Sequence, residues 1–135
     1  VLERKHGAPE QEDPSISHEK SRTRSGLENR IEQMELAISS KRSYIDELTA
    51  DIREGGEKRA RVETALHEAR QRTRFEGSDI SADASTRRSI EKYEETMARL
   101  DRYIEMRENE IQIQQKQIEQ LQGNIEQYER LMTGL

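Results

Sequence analysis

From Leu27 onward the apolar residues recur at alternating steps of four and three: Leu27, Ile31, Met34, Ile38, Ile45, Leu48, Ile52, Val62, Leu66 and Ala69. That spacing holds one stripe on one side of an α-helix and marks a heptad repeat. Lys41, Gly55 and Arg59 interrupt the stripe, yet its phase is the same on both sides of them. One helix is therefore expected over residues 27–75, with Gly55 and Gly56 a soft point costing about 1 kcal/mol each relative to Ala. A second stripe runs Ile90, Tyr93, Met97, Leu100, Ile104, Ile111, Ile118, Leu121, Ile125, Tyr128 and Met132, broken by Arg107 and Gln114. It predicts a helix over residues 86–133. Between the two, residues 76–85 lose the period and offer Gly77 as a helix stop, then Asp83 and Ser85 as N-caps. A turn is expected there.

The two stripes are out of frame with each other. Counted in sevens from Thr73, the seam falls on Ile80, Arg87 and Glu94 rather than on Tyr93, so one uninterrupted supercoil needs a stammer. The Gln-rich residues 112–122 keep heptad time through Ile118 and Leu121 and read as helix surface. Residues 1–26 contain both prolines, Pro9 and Pro14, and an even mixture of acids and bases; they read as a disordered polar arm. The sequence begins at Val1, which suits a trimmed chain or a fragment of something longer as well as an unusual start codon.

A heptad helix cannot bury its stripe alone, so each needs a partner. In an antiparallel hairpin, seam residues whose numbers sum to 159 meet: Leu66 with Tyr93, Val62 with Met97, Leu48 with Ile111, Ile38 with Leu121, and Leu27 with Met132. Lys41 then faces Ile118, Arg59 faces Leu100, Arg107 faces Ile52 and Gln114 faces Ile45. In the alternative, a parallel coiled-coil homodimer, the three basic seam residues meet their own copies. Two features favour that alternative. Isoleucine dominates one heptad position with leucine on the other, and the hairpin sets Asp51 near Glu110, Glu63 near Glu94 and Arg70 near Arg87. Exposed flank pairs are worth only about 0.2 to 1 kcal/mol each. A short tether, by contrast, gains about 4 kcal/mol over a partner at micromolar concentration. The expected fold is all-α: a coiled-coil hairpin, forming a rod.

Composition sharpens the functional reading. The chain has 135 residues, 30% apolar and 38% charged, with one Phe, four Tyr and no Trp, too few for the aromatic-lined pocket usual in small-molecule sites. No catalytic residue, cofactor or metal is assigned, and an enzyme is not expected. The absence of Cys removes disulfides and thiolate ligands and fits a reducing, cytoplasmic setting. No apolar run reaches the roughly 20 residues of a bilayer span. His67, with Glu63 one turn before it, lacks the third and fourth ligands a zinc site needs. The acidic sets at Glu91, Glu94 and Glu95, and at Glu105, Glu108 and Glu110, read as solvated faces rather than acid/base pairs.

The most specific chemistry lies at the turn end, where Arg70, Arg72, Arg74, Arg87 and Arg88 gather beside Phe75. Guanidinium groups with an aromatic neighbour suit an anion or an acidic protein surface. The net charge of -5 and the lack of a basic stripe disfavour nucleic acid. Basophilic modification patterns occur at Ser25, preceded by Arg22 and Arg24, and at Ser89, preceded by Arg87 and Arg88. Tyr44, Tyr103, Leu131, Leu36, Met106 and Ile113 lie off the seam without cover in a two-helix rod. The expected role is a scaffold or docking protein that meets protein partners through helical surfaces, with homo-oligomers and four-helix bundles among the arrangements. Binding of nucleic acid or another acidic ligand by the arginine end is the alternative.

Overall fold

The computed structural model of the chain describes residues 14–75 and 80–135, with side chains over 15–73 and 84–135. Two helices account for almost all of it: α1, Pro14–Phe75, and α2, Ile80–Thr133. They pack against each other as a helical hairpin, the expected intrachain arrangement. Counting frame through the turn is immaterial in this arrangement, because each stripe needs to face only the other.

Both helices begin earlier than the periodicity predicts. Residues 14–26, expected in a disordered arm, belong to α1; residues 1–13 lie outside the described residues. Pro14 suits a first helical position, where its fixed φ is right and its missing N–H is not needed. Glu19, Lys20, Arg22 and Arg24 then extend a helix whose nucleation cost is already met by the packed segment beyond. Asp83 and Ser85, read as N-caps, sit inside α2 for the same reason, since Ala82 and Ala84 favour one more turn. Of the residues 76–85 expected in a turn, 80–85 belong to α2, and 76–79 lie outside the described residues.

The chain divides into two compact units, residues 1–41 with 116–135, and residues 42–115. In the first, Ile38 and Ile118 are buried, while Leu27, Ile31, Met34, Leu121, Ile125, Tyr128 and Met132 are half-buried. In the second, Leu48, Leu66 and Ala69 are buried, and Ile45, Ile52, Val62, Tyr93, Met97, Leu100, Ile104 and Ile111 are half-buried. Every residue assigned to the seam is thus buried or half-buried, and full burial of one such aliphatic side chain is worth about 1.5 to 3 kcal/mol. Among the described residues no polar or charged side chain is buried.

The register follows from polar contacts between the helices. In the first unit, Arg30 donates to the Tyr128 hydroxyl and Lys41 to Gln117 Oε1, both pairs with numbers adding to 158. In the second, Arg107 with Asp51 adds to 158 and Arg59 with Asp101 to 160. Each of these pairs lies within one of the 159 expected from the apolar stripes, and Arg70 with Glu94 reaches further, adding to 164. Within α1 and α2, Thr49, Thr64, Thr73, Thr96 and Thr133 donate to the carbonyl four residues back, which satisfies hydroxyls that otherwise compete with the helix. Arg130 in the last turn of α2 complements the carbonyl end of the helix dipole.

Candidate interaction surface

The polar residues on the seam do not simply snorkel past the apolar residues they were expected to face. Each reaches the polar neighbour of that residue on the opposite helix. Lys41, set against Ile118, donates to Gln117 at 2.7 Å. Arg59, set against Leu100, pairs with Asp101. Arg107, set against Ile52, donates from Nε to Asp51 at 3.1 Å. Gln114 departs from this rule and turns back along its own helix to Glu110 at 3.0 Å. The Asp101 carboxylate, through its hydrogen bond and its charge, raises the Arg59 guanidinium above its ordinary pKa.

These contacts also resolve the like-charge flanks that counted against the hairpin. Asp51 takes Arg107, Glu63 takes Arg59 at 3.3 Å, Glu94 takes Arg70 at 3.0 Å, and Glu110 takes the Gln114 amide. Carboxylates expected to oppose one another are each supplied with a donor. Pairing lists built only from equal-level residues miss this, although the signal was present: an acid or amide stands one place from each expected apolar partner of Lys41, Arg59 and Arg107.

Gly55 has a different role from the soft point its type suggests. It is buried, and a Cβ built there would lie 3.2 Å from Ile104 Cγ1 and 3.4 Å from Tyr103 Cδ1. The helices therefore approach closely at this level, with the Tyr103 and Ile104 side chains seated over the bare backbone. Beside it opens a groove of about 370 Å³ with Gly55, Leu100, Tyr103 and Thr96 in its walls and Asp51, Glu54, Lys58 and Arg99 also lining it. The Arg107 guanidinium stacks on the Tyr103 ring, 3.5 Å from its centroid. In the first unit a second groove, about 430 Å³, is polar in character, lined by Lys41, Gln117, Gln120, Leu121 and Asn124.

The arginine end is less concentrated than its sequence suggests. Arg70 is engaged by Glu94, whereas Arg72, Arg87 and Arg88 are exposed. The side chains of Arg74 and Phe75 lie outside the described residues. His67 shares a hydrogen bond with Gln71 at 3.1 Å, and Glu63 is committed to Arg59. Among the described residues no three potential ligands gather around a point that could hold a metal. No described helix is long and apolar enough to cross a membrane.

Off the seam, Leu36, Tyr44, Met106, Ile113 and Leu131 are exposed as expected, joined by Ile16 and Leu135, while Tyr103 is half-buried against Gly55 and Arg107. Leu36 at 61% and Met106 at 69% exposure are the extreme cases. These large apolar side chains are open to water on helices whose inner faces are already occupied. Comparison of the chain with protein-family models, curated proteins and solved structures finds no match.

Proposed function

We propose that this chain is a non-catalytic structural protein of the cytoplasm, a coiled-coil hairpin that docks protein partners through the outer faces of its two helices. The observation that carries the reading is the exposure of Leu36, Met106, Ile113 and Leu131 outside a seam that is already filled. Their burial against a partner returns hydrophobic free energy that the hairpin alone leaves unused. Charged groups around the Gly55 groove are paired in place, Lys58 with Glu54 at 3.5 Å and Arg99 with Glu95 at 2.8 Å. This suits a solvated rim around a docking face better than an acid/base constellation.

The competing reading, an anion or nucleic-acid module at the arginine end, is weakened by the commitment of Arg70 to Glu94 and by the net charge of -5. Two measurements separate them. A photo-cross-linking residue placed at Leu36 or Met106 is expected to give discrete protein adducts in a cell extract, and the same residue at the polar position Glu108 is not. Binding to single-stranded DNA, followed from about 50 to 200 mM salt, is expected to be weak at every concentration. Tight binding with a steep salt slope, abolished by Arg72→Ala with Arg87→Ala and Arg88→Ala, would replace the docking reading with the anionic one.

A further inference from the structure

The two flanks of the second unit differ in chemistry. One carries Thr49, Gly56, Glu63 and Arg70 from α1 and Glu94, Asp101, Glu108 and Gln115 from α2, spaced by sevens and without a large apolar side chain. The other carries the three large apolar residues that are exposed among the described residues of the unit, Tyr44, Met106 and Ile113, together with the Gly55 groove. Tyr44, Asp51 and Lys58 are spaced by sevens along α1, as are Arg99, Met106 and Ile113 along α2. Asp51, Lys58 and Arg99 all line the groove, which fixes the side of the helices on which these rows lie.

Charge is also sorted along this flank. On the α1 side Glu47, Asp51 and Glu54 precede Gly55, and Lys58 and Arg61 follow it. On α2, running the opposite way, Arg99 lies level with the bases of α1 and Glu110 with its acids, while Lys92 lies level with Glu68, the next residue of the Glu47, Glu54 and Arg61 row. The face is therefore acidic at one end and basic at the other, with an apolar notch between. A surface of that kind is complementary to itself when turned end for end, which is the condition for a two-fold interface in which the same patch serves both partners.

We infer that the occupant of this face is a second copy of the same chain, docked antiparallel across the Gly55 groove so that four helical segments share one core. Met106, Tyr103 and Leu100 of each copy supply the apolar centre, and the acidic row of one lies along the basic row of the other. The ion pairs within each copy, Lys58 with Glu54 and Arg99 with Glu95, are exposed and exchangeable and do not oppose this. The inference rests on the docking function proposed above and names its partner.

Sedimentation velocity over about 1 to 100 µM full-length chain tests it, a range that spans micromolar dissociation constants. The unaltered chain is expected to form a dimer. Lys58→Glu with Arg99→Glu leaves the face predominantly acidic, Glu47→Lys with Glu54→Lys leaves it predominantly basic, and each variant alone is expected to sediment as a monomer. An equimolar mixture of the two is expected to restore the dimer. Circular dichroism checks that helicity is retained, and Met106→Lys with Ile113→Lys, at positions 69% and 48% exposed, provides a second monomerising variant that leaves the seam intact. A monomeric unaltered chain, dimers undiminished in every variant, or no recovery on mixing would each overturn the inference. If the chain is monomeric while a residue at Met106 still cross-links to a different protein, self-pairing fails and the docking function stands. Absence of adducts from every exposed apolar position removes that function as well.

Discussion

Arg107 holds its guanidinium 3.5 Å above the centroid of the Tyr103 ring while its Nε donates to Asp51 on the opposite helix at 3.1 Å. One seam position that heptad logic would fill with leucine thus joins three elements of the second unit: an aromatic side chain, an acid across the seam and the closely approached Gly55 beneath that aromatic. A cation over a partly solvated tyrosine is worth about 0.5 to 1 kcal/mol. A double-mutant cycle of Arg107→Ala and Tyr103→Ala, read by urea unfolding, is expected to return a coupling energy of about that size. Strict additivity would mean the stacking contributes nothing to stability.

The glycines separate by what surrounds them. Around Gly56 and Gly123 there is nothing within 4 Å of an added Cβ, so Gly56→Ala and Gly123→Ala should each stabilise by about 1 kcal/mol through helix propensity alone. At Gly55 the same methyl lands 3.2 Å from Ile104 Cγ1, tight enough that the Ile104 side chain must give by a few tenths of an ångström to admit it. Gly55→Ala is expected to gain little or nothing, and Gly55→Leu to cost about 1 to 3 kcal/mol by overpacking. Thermal melts of the alanine variants decide the point. A Gly55→Ala gain equal to that of Gly56→Ala would show that the close approach is absent.

Ile38 and Leu36 are two residues apart and respond oppositely to charge. Ile38 is 6% exposed and Leu36 61%. An aspartate at the first position puts a carboxylate in place of a buried aliphatic side chain of the seam and should cost several kcal/mol with loss of helical signal. Leu36→Asp should alter stability by no more than about 0.5 kcal/mol. Far-ultraviolet circular dichroism of the two variants is the measurement. Equal effects would mean that the heptad frame in the first unit is misassigned.

The helices, their facing stripes and the pairing register were legible because one physical rule, burial of a narrow apolar stripe, determines all three. What periodicity could not convey has two sources. Helix ends are set by propagation from a packed segment, so Pro14 to Gly26 and Ile80 to Ser85 become helical without any stripe of their own. A heptad count treats the seam cations as interruptions because it asks which residue lies directly opposite, whereas a lysine or arginine reaches one residue further. Gly55 was judged by helix propensity, a property of one helix, although its place depends on Tyr103 and Ile104 of the other. The groove arises from that substitution of backbone for side chain and leaves no mark in residue type beyond a lone glycine.

The seam cations bear most directly on why this chain folds back on itself despite an isoleucine and leucine distribution that favours parallel pairs. Antiparallel, Lys41 meets Gln117, Arg59 meets Asp101 and Arg107 meets Asp51. Parallel, each meets its own copy, so three layers of like charge act against the wrong arrangement more than three bonds act for the right one. The tether between the helices supplies the rest, but its advantage fades as protein concentration nears the millimolar effective concentration it provides. Thiols introduced by Leu27→Cys and Met132→Cys, in a chain that has no cysteine of its own, report the outcome on oxidation. With the native seam, the cross-link is expected to stay within one chain even at about 1 mM protein. With Lys41→Leu, Arg59→Leu and Arg107→Leu together, the seam is stickier in both arrangements and the bias is gone, so links between position 27 of two chains should appear at that concentration. If the triple variant remains wholly intrachain, the basic residues do not direct the pairing, and the tether alone accounts for the hairpin.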